Sequence, residues 1–118
     1  MDTQTYEGSC HCGAVAFSVE TELDSPAMCN CSRCRRLNWI MQSVPAGKIR
    51  FMHGKETLKT YRFNTRHIEH LFCPECGIEP LARGEDGKGN QLYMINVNCL
   101  EGARIDPHAI KHWDGASF

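Results

Sequence analysis

Alternating apolar and polar residues along the chain predict short β-strands. The segment Ala14–Glu20 places Val15, Phe17 and Val19 on one face and small or polar residues on the other, which is typical of a half-buried strand. The longest alternation runs over Gln91–Leu100, and we expect a central strand there.

Further stretches with strand character end at glycine, proline or polar residues. They are Trp39–Val44, Lys48–Gly54, Thr57–Phe63 and His67–Phe72. The glycine-rich segment Gly84–Asn90 predicts a hairpin loop, and Cys31–Asn38 is too short for more than one helical turn. The pattern of residues 101–118 predicts no particular element. Six to eight short strands without a long helix indicate an all-β protein, with residues 1–118 forming a single domain.

Charge and hydropathy narrow the classes of partner. The formal net charge of -1 gives no electrostatic reason to expect nucleic acid. The first ten residues lack the basic and apolar regions of a secretory signal, and apolar residues never run to the roughly 18 needed to cross a bilayer. We therefore expect a cytoplasmic protein with no nucleic acid and no membrane partner. The sequence leaves the oligomeric state open.

Eight cysteines are more than packing requires in a chain of this length. In an oxidising compartment an even number would indicate disulfides. In a reducing cytoplasm the same number indicates metal ligands, because the thiols remain free to coordinate. We expect metal binding.

Four of the cysteines form two pairs with metal-ligand spacing. Cys73 and Cys76 are separated by two residues, which lets both thiolates hold one ion in a tight turn. Cys10 and Cys12 are two apart, so on an extended strand they would point to one face while His11 points away. Together these four cysteines predict a structural zinc site.

Cys29, Cys31 and Cys34 predict a second zinc site, because their spacing can direct three sulfur atoms at one point. Cys99 is either its fourth ligand or a buried, small apolar residue. Three thiolates with an open position would distinguish a catalytic zinc from a structural one. The alternative is a second structural site completed by Cys99, a histidine or water.

The chemistry of three thiolate ligands favours a thiol substrate. They leave a Zn²⁺ site with a net charge of -1, a poor Lewis acid for ionising water but a suitable partner for soft sulfur. Arg33, Arg35 and Arg36 either meet the carboxylates of an anionic thiol such as glutathione or form a solvated basic patch. The candidate general bases, among which the sequence does not choose, are His53, His67, His70, His108 and His112.

Four segments between Gly8 and Leu100 resemble the glutathione-dependent formaldehyde-activating enzymes, a family that includes the centromere protein V-like proteins. The segments are GSCHCGAVAF, CNCSRCRR, HLFCPECGI and INVNCL. The resemblance implies a β-tent fold of antiparallel sheets with two zinc ions per chain. It places the family's structural zinc on Cys10, Cys12, Cys73 and Cys76 and its catalytic zinc on Cys29, Cys31 and Cys34.

The resemblance also implies an activity. The family's named reaction condenses formaldehyde with glutathione to S-hydroxymethylglutathione, which is carbon-sulfur lyase chemistry. The alternative function is a non-catalytic zinc-binding module that recognises a protein partner, as the centromere relatives suggest.

Overall fold

The computed structural model describes residues 3–63 and 67–117, and this part of the chain is almost entirely β-structure. Its ten strands are β1 Gln4–Ser9, β2 Ala16–Thr21, β3 Ala27–Cys29, β4 Met41–Pro45, β5 Ile49–His53, β6 Lys59–Tyr61, β7 Glu69–Phe72, β8 Leu81–Glu85, β9 Gln91–Asn96 and β10 Lys111–Trp113. One α-helical turn, α1, spans Cys34–Leu37, and 3₁₀ turns span Ala46–Lys48, Lys55–Thr57, Val97–Cys99, Pro107–Ala109 and Gly115–Ser117. The predicted all-β class is confirmed. Residues 1–2, 64–66 and 118 of the predicted domain lie outside the described ranges.

The strands form two sheets. The smaller has the order β1-β2-β5, and the larger has the order β10-β3-β4-β9-β8-β7-β6. Every strand pairing is antiparallel except that of β10 with β3, which is parallel. The predicted central strand is confirmed, because β9 is the fourth of the seven strands in the larger sheet.

The main core lies between the two sheets. Phe17 and Val19 from β2 pack in one cluster with Leu81 of β8 and with Tyr93 and Ile95 of β9. All five are 5% exposed or less, so they remove apolar surface from water on both sides of the interface. The buried face predicted from the alternation over Ala14–Glu20 is confirmed, whereas Leu81 lies on a strand that the sequence did not predict.

The segment predicted as a strand over Gln91–Leu100 leaves the sheet early. The side chain of Asn96 accepts a hydrogen bond from the Asn98 N–H at 3.1 Å and caps the 3₁₀ turn Val97–Cys99. Cys99 is therefore half-buried in a turn rather than on the apolar face of a strand.

Two other differences from the predicted elements concern strand length and pairing. β3 and β10 have three residues each, too few to show a period, and β1 and β8 were also not predicted. The neighbouring strands β5 and β6 lie in different sheets, so the turn at Gly54 carries the chain from the small sheet to the large one.

Candidate metal centres

The first group of cysteines has the geometry of a tetrahedral metal site. The sulfur atoms of Cys10, Cys12, Cys73 and Cys76 all lie within 4.8 Å of one another. Cys12 Sγ is 3.7 Å from both Cys10 Sγ and Cys73 Sγ. A tetrahedron with zinc-sulfur bonds of about 2.3 Å places its sulfur atoms about 3.8 Å apart. The four donors thus fit a zinc-sized ion.

Turns at the ends of the two sheets position these four residues. Cys10 and Cys12 lie in the turn between β1 and β2, and not on a strand as the sequence suggested. Cys10 N–H donates to the Val15 carbonyl at 3.1 Å, and Val15 N–H donates to Cys10 Sγ at 3.4 Å, which holds the turn closed. His11 is exposed.

The turn between β7 and β8 carries the second pair. Cys73 N–H donates to the Ile78 carbonyl at 2.9 Å, and Gly77 N–H donates to the Cys73 carbonyl at 2.7 Å. The backbone N–H groups of Ile78 and Cys12 lower the pKa of Cys76 to about 6. This sulfur is therefore poised as a thiolate, the form in which cysteine binds metals.

The second group brings together the other three predicted ligands. The sulfur atoms of Cys29, Cys31 and Cys34 lie within 4.8 Å of one another, at the end of β3, in the following turn and at the start of α1. N–H groups point at each sulfur: Cys31 N–H at Cys29 Sγ (3.4 Å), Cys34 N–H at Cys31 Sγ (3.3 Å) and Trp39 Nε1 at Cys34 Sγ (3.4 Å). Such donors stabilise thiolates, so this set suits a soft metal ion.

The three thiols differ in acidity. Burial raises the pKa of Cys34 to about 12. Burial also opposes ionisation of Cys31, but the backbone N–H groups of Cys34 and Arg33 outweigh it and lower the pKa of Cys31. Because metal ligands must be deprotonated, ion binding here releases protons and depends on pH.

Cys99 lies apart from this trio. Among the described residues, the group formed by Cys29, Cys31 and Cys34 includes neither Cys99 nor a histidine. Burial and the nearby sulfur atoms of the first group, those of Cys10 and Cys76, raise the pKa of Cys99 to about 11. Cys99 is therefore a half-buried cysteine outside both groups, and the described residues supply the trio with no fourth cysteine.

A buried ionic network joins the turn that carries Cys73 and Cys76 to the turn that carries the second group of cysteines. Sequence reasoning missed its central residue, Glu79. Glu79 is 3% exposed; its Oε1 accepts from Arg33 Nη2 at 2.6 Å and its Oε2 from His70 Nδ1 at 3.0 Å. The Arg33 guanidinium also lies 4.8 Å from the centre of the Tyr61 ring. Arg33 stands between two ligands of the second group, and Glu79 follows Cys76 by three residues. No local pattern marks Glu79, since Arg33 is 46 residues away.

Four of the five candidate general bases are exposed, namely His53, His67, His108 and His112. The fifth, His70, is 5% exposed. His53 Nε2 donates to the Gly13 carbonyl at 2.9 Å, in the turn between β1 and β2.

A cavity opens beside the second group of cysteines. Its volume is about 600 Å³, within the range of small-molecule sites. The residues that line it are Asn30, Cys31, Ser32, Arg35, Phe63, Gly115 and Ala116. Of the three neighbouring arginines, Arg33 is held by Glu79 and Arg36 donates to the Ser32 carbonyl at 2.6 Å, whereas Arg35 faces the cavity.

Comparison with known proteins decides the family. The family model described as "Glutathione-dependent formaldehyde-activating enzyme" matches residues 5–114, a span that includes both groups of cysteines. The chain belongs to this family. A crystal structure of a Rhodobacter sphaeroides protein is similar to this chain, with 34% sequence identity and a TM-score of 0.76 over 91% of this chain and 98% of that one. The resemblance expected from the four sequence segments is confirmed, while membership of the centromere protein V-like branch stays a prediction.

Within residues 3–63 and 67–117, no helix is both long enough and apolar enough to span a bilayer.

Proposed function

We propose that this member of the glutathione-dependent formaldehyde-activating enzyme family is a zinc enzyme of the carbon-sulfur lyase type. It joins a small thiol such as glutathione to an aldehyde such as formaldehyde and also cleaves the adduct. The observation that carries the proposal is the convergence of three cysteine sulfur atoms beside a cavity of about 600 Å³.

The donor sets support two zinc ions with different roles. Cys10, Cys12, Cys73 and Cys76 would hold a structural ion with four thiolates. Cys29, Cys31 and Cys34 would hold the second ion with three. Zinc at this second site would supply a soft positive centre that favours the thiolate form of a bound thiol.

The cavity would orient the thiol through its own side chains. Arg35 is the one of the three neighbouring arginines that lines the cavity, and its guanidinium can form charge-assisted hydrogen bonds with a substrate carboxylate. Phe63 supplies an apolar wall beside the sulfur trio. An anionic thiol with a flexible aliphatic body matches these two features.

The reaction balances without an oxidant or reductant. The substrate thiolate forms a carbon-sulfur bond to the aldehyde carbon, the carbonyl π pair moves to oxygen, and that oxygen takes a proton. With formaldehyde, the product is the S-hydroxymethyl derivative of the thiol, a hemithioacetal. The reverse reaction returns the proton and breaks the same carbon-sulfur bond. We assign the proton to water, because the residues described around the cavity include no histidine.

A panel of thiols and aldehydes tests this function. Nuclear magnetic resonance measures the rate of exchange between formaldehyde and S-hydroxymethylglutathione with zinc-loaded protein. The rate is compared with that of the same mixture without protein, because the exchange also occurs slowly without a catalyst. We expect faster exchange with glutathione than with 2-mercaptoethanol, and loss of the acceleration in Cys31→Ser. An exchange rate equal to the uncatalysed rate for every pair, with full zinc loading, would leave a binding module as the function.

A further inference from the structure

The C-terminal segment of the described chain runs alongside the second group of cysteines. β10 pairs in parallel with β3, and the register sets Trp113 opposite Cys29. Asn30 N–H continues this ladder by donating to the Trp113 carbonyl at 3.1 Å. The chain after Trp113 therefore passes the turn that carries the sulfur trio, although more than 80 residues separate the two segments in sequence.

The side chain of Asn30 holds this segment with both of its polar atoms. Its Nδ2 donates to Asp114 Oδ1 at 2.9 Å, and its Oδ1 accepts from Ala116 N–H at 2.9 Å. Ser117 Oγ donates to the other carboxylate oxygen of Asp114 at 2.6 Å. All four residues are exposed, so these bonds do not serve the core. They fix the path of residues 114–117 against a residue flanked by two cysteines.

Gly115 is the point of closest approach. A methyl group at this position would overlap Cys29 Sγ and would lie 3.3 Å from Cys31 Cβ. The backbone of Gly115 does not adopt the left-handed conformation that favours glycine, so its conformation is open to any residue. The requirement for glycine is therefore space beside the sulfur atom.

We propose that residues 113–117 form a wall of the thiol-binding pocket, with Asn30 as the positioning residue and Gly115 leaving room for the Cys29 sulfur. This inference rests on the proposed function. Gly115 and Ala116 line the same cavity as Arg35 and Phe63. The wall confines the thiol between the C-terminal segment and Arg35, and so limits the width of the substrate next to its sulfur.

Substitutions that move the negative charge from position 114 to position 30 test the role of Asn30. In Asn30→Asp, the new carboxylate would face that of Asp114 at hydrogen-bond distance, and their repulsion would push residues 114–117 away. The side-chain volume at position 30 would hardly change. Adding Asp114→Asn restores a donor and an acceptor between the two positions. In cobalt-substituted protein, the dissociation constant of glutathione is measured from the thiolate-to-cobalt absorption band. We expect it to rise about tenfold in Asn30→Asp and to return to within about threefold in the double variant.

Gly115→Ala tests the wall independently of charge, and Gly47→Ala is its control because a methyl group at position 47 meets no atom within 4 Å. We expect weaker glutathione binding and a shifted cobalt band in Gly115→Ala, with both unchanged in Gly47→Ala. If the native protein responds to glutathione and every variant binds it equally well, the wall proposal is wrong while the proposed function stands. If the native protein itself shows no response, both fail.

Discussion

At the scale of single residues, the arginines next to the second group of cysteines have separate tasks. Arg35 lines the cavity, whereas Arg36, its neighbour on α1, donates to the Ser32 carbonyl. We expect Arg35→Ala to raise the KM for glutathione about tenfold, because a charge-assisted hydrogen bond to the substrate carboxylate is lost. Steady-state kinetics with varied glutathione measures the effect.

Arg36→Ala is the matched control for this prediction. This substitution removes the same charge from the same helical turn. The KM of the Arg36→Ala variant for glutathione should stay close to that of the native protein. The uncharged thiol 2-mercaptoethanol should not distinguish Arg35→Ala from the native protein. Equal effects of the two substitutions on glutathione would show a general basic patch instead of a specific contact.

Gly54 supports the turn that carries the first pair of cysteines. Its φ is +85°, and a Cβ there would collide with the Ala14 carbonyl oxygen. Gly87 has nearly the same φ, +86°, with no atom within 4 Å of an added Cβ. We expect Gly87→Ala to cost about 1–2 kcal/mol from backbone strain alone, and Gly54→Ala to cost about 1–3 kcal/mol more from overlap. Urea unfolding of the zinc-loaded proteins measures both, and equal losses would contradict the steric argument.

At the scale of elements, Glu79 connects the turn after β7 to the turn before α1. It is the shared acceptor for Arg33 and His70, and its side chain is 2% exposed. Glu79→Ala leaves the Arg33 guanidinium mostly buried without its counter-charge, so we expect a loss of about 3–5 kcal/mol in the free energy of unfolding. Urea denaturation with both metal sites loaded measures the loss.

Glu69→Ala is the control for Glu79→Ala. Glu69 also accepts from two arginines, Arg62 and Arg83, but these are 40% and 35% exposed in their side chains. Pairs in contact with solvent contribute about 1 kcal/mol or less. If the two variants lose the same stability, burial of the Glu79 network has no special effect.

Local patterns explain which elements the sequence predicted. β2 and β9 alternate over six residues each, so their buried faces were visible in the sequence. The cysteine pairs have spacings fixed by turn geometry, and their grouping could be predicted for the same reason. β10 has three exposed residues, and its place is set by pairing with β3, so nothing local marks it. The contacts of Asn30 with Asp114 and of Glu79 with Arg33 are long-range and became visible only in the folded chain.

At the scale of the whole molecule, the first group of cysteines ties the two sheets together. Cys10 and Cys12 follow β1 of the small sheet, and Cys73 and Cys76 follow β7 of the large one. Structural zinc contributes about 10–16 kcal/mol in small peptides, comparable with the stability of a whole domain. We expect Cys76→Ser to unfold the protein, as measured by circular dichroism.

The second group should behave differently. Cys29, Cys31 and Cys34 connect β3 to α1, which are neighbours in sequence. We expect Cys31→Ser to remain folded while losing activity. Equal unfolding of the two serine variants would contradict the separate roles of the two groups.

The most direct test of the account is the response of the second metal site to a thiol. Zinc analysis should give two ions per chain, and glutathione should change the absorption of the cobalt-substituted native protein but not that of Cys31→Ser. One ion per chain, or a spectrum that glutathione leaves unchanged, would contradict a metal centre at Cys29, Cys31 and Cys34 that accepts sulfur from outside the protein.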